Sequence, residues 1–292
     1  MIARFLDLIR RHPVVAYFVL ACVISWAAVA PLVVAGLGLT DRQWPTYWHS
    51  LGALGPAAAA VLVTATIAGL SGLAEFSSRL MRWRVGFVWW LLALSPLVLC
   101  AVAYLAMRIA GARLESVVAV KSAFADPAWL SGMFLASLAY GLGEEPGWRG
   151  FALPRLQHGR SALWATVILS IGWGLWHVPY FFYRYHLASA TEYVGFYLGL
   201  FAGAVWLTFL YNSTGGSTLL VVVWHIVWNA VALAAAVLSP TLVAITSGLI
   251  MVGGIAALVI GGPRRLSWTQ AHVIVPTASS VPGRSPEPVT AS

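Results

Sequence analysis

The chain has 292 residues, of which 60% are hydrophobic and 9% charged, with 15 Trp, 12 Phe, 10 Tyr and a formal net charge of +8. A soluble globular domain carries roughly 25% charged residues, so the composition excludes an ordinary soluble protein and describes one that crosses the membrane several times. Membrane topology and contact with anionic head groups account for the basic balance, and nucleic-acid binding is not needed to explain it.

A helix crosses the hydrocarbon core, about 30 Å thick, with about 20 residues. The charge-free runs predict about eight such spans, near 14–38, 50–71, 85–107, 128–153, 162–183, 191–211, 217–238 and 241–261. These runs are apolar on both alternations, which fits helices and not the alternating strands of a barrel. The predicted fold class is therefore an all-α, polytopic membrane helical bundle. Arg4, Arg10 and Arg11 precede the first run, which is longer than the roughly 7–15 residues of a secretory h-region and is expected to stay as an anchor. Leu73–Arg84 reads as a short amphipathic helix on the inner surface, with Arg79, Arg82 and Arg84 as topology and lipid anchors. Gln157–Ser161, Asn212–Ser217 and Ser239-Pro240 read as turns. His12, His49, His158 and His186 fall at span ends or in loops and are expected at the interface. Cys22 and Cys100 lie inside spans, so neither a disulfide framework nor a cysteine metal site is suggested. Residues 1–265 form the membrane domain, and 266–292, rich in Ser, Pro, Thr and Gly, are expected to be a disordered tail.

Counted by loop, twelve Lys and Arg residues fall on the side of both termini and five (Arg42, Arg108, Arg113, Lys121 and Arg184) on the other. By the positive-inside rule both termini are expected in the cytoplasm of a cell whose plasma membrane holds the protein.

The costly side chains of the later spans are Glu144, Glu145, Arg149, His177, His225 and Asn229. Placing an ionised group at the centre of a membrane helix costs about 2.5–3.5 kcal/mol even on insertion scales, so each demands a functional reason. Glu145 and Arg149, Trp173 and His177, and His225 and Asn229 are each four residues apart and share a helix face where the backbone is α-helical. Spans four and five form a hairpin, and at 1.5 Å per residue Glu144 and His177 both lie roughly 25 Å from its tip. His225 enters from the same end of span seven, about 12 Å in. Glu, two His and an Asn meeting inside a bundle suggest activation of water by a carboxylate or imidazole, with His or Asn donating to a developing oxyanion. Peptide hydrolysis fits this equipment.

In order, Glu144-Glu145-x-x-x-Arg149, Trp173-x-x-x-His177 and His225-x-x-x-Asn229 resemble the motifs of the CPBP family, the CAAX protease and bacteriocin-processing group also called ABI. The resemblance covers 126–235 and implies an eight-helix intramembrane endopeptidase with a cavity open to the cytosol, cutting near the cytoplasmic face. On that pattern Glu144 and His177 activate water, His225 and Asn229 stabilise the oxyanion, and Glu145 with Arg149 shapes the site. Two departures stand out. Trp173 replaces the usual Phe and adds an indole donor, and Pro146 is expected to break or kink the helix and weaken the Glu145–Arg149 pair.

The expected partners are membrane lipids and a peptide or protein substrate, which in this family includes lipidated ones. Two His and a Glu could bind a divalent metal such as zinc, as in a metalloprotease. The His-Glu-x-x-His signature is absent, and Asn serves better as an oxyanion donor than as a zinc ligand, which favours a metal-free mechanism. A catalytically silent immunity or peptide-binding protein and a proton-coupled transporter are the alternative readings. The two halves of the chain show no similarity that would support the transporter.

Overall fold

In a computed structural model of the chain, the described residues are 2–112, 122, 124–185, 187–269 and 272–275. Arg113, Lys121, His186, Arg284 and the tail beyond 275 lie outside them. Among the described residues every regular element is helical. In order these are α1 (Ile2–Arg11), α2 (Pro13–Gly36), a 3-10 turn (Thr46–Leu54), α3 (Gly55–Leu80), α4 (Phe87–Ala93), α5 (Ser95–Ile109) and α6 (Pro127–Glu145). A π-helical turn (Pro146–Ala152) and a closing turn (Leu153–Leu156) follow, then α7 (Ala162–Trp176), a 3-10 turn (Val178–Phe182), α8 (Ala190–Ser213), α9 (Thr218–Leu238) and α10 (Pro240–Arg265).

Among the described residues six helical stretches are long and apolar enough to cross a membrane, and α4 with α5, bent by 53°, makes a seventh if the pair is one span. The bend falls at Leu94–Ser95, where Pro96 at the start of α5 cannot donate a backbone hydrogen bond. The remaining expected span is α6, which ends in Glu144 and Glu145 and falls short of the same apolarity. The bundle is thus that of a multi-pass membrane protein, and α6 carries the two predicted carboxylates.

Short contacts fix which helix ends lie together. Gln157 in the hairpin turn exchanges two hydrogen bonds with Asn212 near the end of α8 (3.1 and 2.8 Å), and Asn212 also donates to the Arg265 carbonyl at the end of α10 (2.8 Å). All three belong to one end of the bundle, the arginine-rich end. At the other end Gly36, closing α2, abuts the Phe182 carbonyl beyond α7.

Two expectations change here. The segment 73–84 does carry a separate short helix: a break at Gly69 (φ 58°, ψ −151°) divides α3, and the turns beyond it run to Leu80 and bury Phe76 and Arg79. Arg79 is therefore not a lipid anchor, since its guanidinium is 4% exposed and pairs with Glu75 at 3.1 Å. The chain is also still packed after 265: Leu266 and Ser267 are buried, Gln157 donates to the Val273 carbonyl (2.7 Å), and Val275 donates to the Pro154 carbonyl (3.2 Å). Composition alone could not show that this polar segment satisfies its backbone against the hairpin.

Gly147 is needed for close approach. A Cβ there would sit 2.6 Å from the Pro56 carbonyl at the start of α3 and 2.5 Å from the Tyr17 hydroxyl. Gly147→Ala is expected to cost about 1–3 kcal/mol through overpacking. Thermal unfolding in detergent checks this, and an unchanged midpoint would show that the contact yields.

Candidate active site

The two carboxylates are adjacent in sequence but lie in different environments. Glu145 is fully buried behind the site, where Arg149 Nη1 donates to both its oxygens at 2.9 and 3.1 Å. Pro146 therefore does not weaken this pair. A proline inside a helix removes a bond to the carbonyl four residues back and crowds it. The chain absorbs both effects by widening into the π-helical turn, and Glu145 keeps helical angles (φ −64°, ψ −35°). Widened turns of this kind occur often at functional sites. The Arg149 guanidinium carbon also lies 4.6 Å from the centre of the Trp173 ring, a cation–π contact that offsets part of the cost of burying the charge.

Glu144 is held by indoles. Its Oε2 accepts from Trp173 Nε1 at 2.7 Å and from Trp148 Nε1 at 3.2 Å. Trp173, the departure from the usual Phe, thus uses the donor it adds, and it joins the second arm of the hairpin to the first at the depth of Glu144. Hydrogen bonds to charged groups are worth about 1.5–3 kcal/mol. Trp173→Phe, which keeps the ring and removes the donor, is expected to cut any Glu144-dependent rate about tenfold. A rate equal to wild type would show that Trp148 alone holds the carboxylate.

The two histidines are fixed through Nδ1. His177 closes α7 and donates from Nδ1 to the Trp173 carbonyl at 2.7 Å, so its Nε2 remains as an acceptor. His225 sits on α9, packed against α6, and its Nδ1 meets Glu145 Oε1 at 2.7 Å. Because Glu145 accepts, Nδ1 carries the proton and Nε2 is again the free atom. Asn229, one turn further along α9, donates to the His225 carbonyl at 3.0 Å, which leaves its second amide hydrogen free.

Glu144, His177, His225 and Asn229 line one cavity of about 700 Å³ between α6, α7, α8, α9 and α10. Glu145 and Arg149 stand behind its wall. The structure therefore brings all six predicted residues together, four at the surface of the cavity and two supporting them. With His225 protonated, the two carboxylates are balanced by one guanidinium and one imidazolium, so the set buries no net charge.

Tyr140, one turn before Glu144, also lines the cavity, and its buried hydroxyl has no hydrogen-bond partner among the described residues. Trp148 lies one turn after Glu144. Both were missed in the sequence, although their i±4 spacing from Glu144 was a usable signal. His49 is not interfacial: it is buried, its Nδ1 is 3.1 Å from the Tyr183 hydroxyl, and its ring packs on Tyr140.

Among the described residues no group of three or more His, Cys, Asp and Glu side chains is placed to hold a metal ion. The metalloprotease label thus gains no support from the described residues.

The cavity opens away from the arginine-rich end of the bundle. Its exposed rim is built by Arg184, Gly195 and Ala236, whereas Gly203, Leu207, Trp224, His225 and Ile250 form a buried floor. Phe151, Leu153, Leu210, Tyr211, Leu220 and Val221 fill the bundle between that floor and the arginine-rich end. The lining helices part only towards their other ends.

A polar site of this kind, sunk into a helical bundle, defines an integral membrane protein with buried chemistry. Residues 126–231 match the family model described as type II CAAX prenyl endopeptidase Rce1-like. The chain is also similar to CAAX prenyl protease 2 of Methanococcus maripaludis, with 30% identity over 92 residues, 30% of this chain and 34% of that protein. The chain thus aligns with about a third of the length of the curated relative it matches. The matched segment contains all three motifs and supports the resemblance to the CPBP family over this part of the chain.

Proposed function

We propose that the protein is an intramembrane endopeptidase that hydrolyses a peptide bond with a water molecule activated by Glu144 and His177. The observation that carries this reading is that Glu144, His177, His225 and Asn229 line the same cavity, each histidine fixed so that Nε2 is its free nitrogen. The water would sit between Glu144 Oε1 and His177 Nε2 and lose its proton as it attacks the scissile carbonyl. His225, with a second proton on Nε2 balanced by Glu145, and the free amide hydrogen of Asn229 would hold the oxygen that becomes negative. Collapse of that intermediate expels the amine, which takes the proton back from the Glu144–His177 side.

The substrate is a peptide or protein segment, with or without a lipid anchor. With 16 Arg to 1 Lys the composition resembles that of a GC-rich bacterium, where prenylated tails are not expected, so leader peptides, bacteriocin precursors and membrane-protein tails are the first substrates to try. We place the protein in the plasma membrane with its arginine-rich end in the cytoplasm, on the charge count.

The test uses purified protein in detergent with prenylated and unprenylated peptide libraries, products being read by mass spectrometry. Cleavage by the wild type is expected to disappear in Glu144→Ala and His225→Ala. Cleavage that survives both substitutions overturns the reading.

A further inference from the structure

Two arginines outside the cavity are buried without enough negative charge to match them. Arg79, in the last turn of α3, and Arg155, in the closing turn after the π-helical segment, are 3% and 6% exposed. Taking a charged side chain out of water is costly unless it is paired and hydrogen-bonded. Arg79 Nη2 lies 3.1 Å from Glu75 Oε2 but without the alignment of a hydrogen bond, and its Nε, Nη1 and Nη2 all lack a hydrogen-bond partner among the described residues. Arg155 donates from Nη1 to the Phe151 carbonyl at 3.0 Å, and its guanidinium carbon lies 3.9 Å from the centre of the Phe151 ring. Its Nε has no partner among the described residues, and neither has the buried hydroxyl of Tyr211 near the end of α8.

Arg79, Arg155, Tyr211 and Glu75 act on one another electrostatically, so they form one cluster where α3, the hairpin turn and α8 meet. Burial and the neighbouring Arg79 charge push the Arg155 guanidinium down to about 10, which leaves it charged at neutral pH. Two cations therefore face one carboxylate, and that carboxylate is shared with water, the Glu75 side chain being 52% exposed. The cavity set is balanced, whereas this cluster is one negative charge short. Its unused donors are of the kind that hold phosphate: guanidinium forks match phosphate oxygens in pairs, and a phenol adds a third direction. A phosphodiester carries the one negative charge that is missing. Arg79 and Tyr211 also stand near the ends of Tyr47–Leu80 and Ala190–Ser213, two stretches long and apolar enough to cross a membrane. Such ends lie at the depth of lipid head groups.

We propose that Arg79, Arg155 and Tyr211 form a binding site for a phosphate group, carried by an anionic lipid head group or supplied as free phosphate, and that Glu75 is the residue the phosphate displaces. Arg79 does not reach out to the lipid surface; the phosphate comes in beside the half-exposed Glu75, whose side chain turns to solvent. The site is separate from the cavity, and nothing in it depends on peptide cleavage.

The experiment titrates the full-length protein in a maltoside detergent with phosphatidylglycerol, with diacylglycerol of the same chains, and with sodium phosphate against sodium chloride at equal ionic strength. Binding is read as a rise in the unfolding midpoint, since a ligand that binds only the folded state stabilises it. Phosphatidylglycerol is expected to raise the midpoint by several degrees and diacylglycerol to leave it unchanged. An equal rise with sodium phosphate makes free phosphate a sufficient ligand, and a rise confined to the lipid makes the head group the source. Arg79→Gln and Arg155→Gln are each expected to weaken binding about tenfold or more, and Tyr211→Phe to weaken it less. Glu75→Gln is expected to tighten binding severalfold because it removes the competing carboxylate. Asp7→Asn makes the same charge change at the exposed pair with Arg11 and is expected to leave binding unchanged. Should the arginine variants fail to fold, Tyr211→Phe and Glu75→Gln decide. The proposal is overturned if neither phosphate source moves the midpoint, if diacylglycerol moves it equally, or if Glu75→Gln binds no more tightly than Asp7→Asn.

Discussion

Arg149→Ala is expected to lose about 3–5 kcal/mol of stability, enough to unfold much of the protein in detergent, because it strips the bidentate partner from a carboxylate with no exposed surface. Glu145 would keep only His225 Nδ1 at 2.7 Å. A charge stranded in a bundle cannot recover its hydration, and the Trp173 ring would lose the cation packed against it. The double variant Glu145→Gln/Arg149→Met removes both charges at similar volume and is expected to regain most of the loss, since a buried ion pair contributes little beyond its own neutralisation. It should still lack normal activity, because His225 would lose the carboxylate that orients it. Unfolding midpoints of the single and double variants measure this. A single variant as stable as wild type, or a double variant no better than the single, would contradict the pairing as drawn.

Much of this site was legible in the sequence because hydrocarbon makes polar residues conspicuous. Glu144, Glu145, Arg149, His177, His225 and Asn229 stood out on cost, and hairpin arithmetic put Glu144 and His177 at one depth. The indole of Trp173, foreseen as an added donor, bridges the two arms at Glu144. Other features had no local signal. Pro146 predicts a broken helix by its own chemistry, but not that the break takes the form of a π-helical turn with Gly147 packed on Pro56 and Tyr17. The role of Glu145 as the partner of His225 depends on α9 lying beside α6, a contact between residues 80 positions apart. The mouth of the cavity could not be read either, because it depends on how far three helices splay. Arg79 and His49 were misplaced for the same reason: their neighbours come from distant segments that bury them.

Glu144→Gln is the substitution that separates charge from shape. Glutamine keeps the length and one carbonyl oxygen for the Trp173 and Trp148 indoles, so packing around a residue 1% exposed should survive. It removes the basic oxygen proposed to take a proton from water, and general-base catalysis by a positioned side chain is worth about 10²–10⁴ in rate. The most direct test of the account is therefore the cleavage rate of Glu144→Gln relative to wild type on one peptide, with the unfolding midpoint of each protein measured in the same detergent. The account predicts a rate below about a hundredth of wild type with the midpoint retained. A rate within about threefold of wild type, in a protein equally folded, would contradict it.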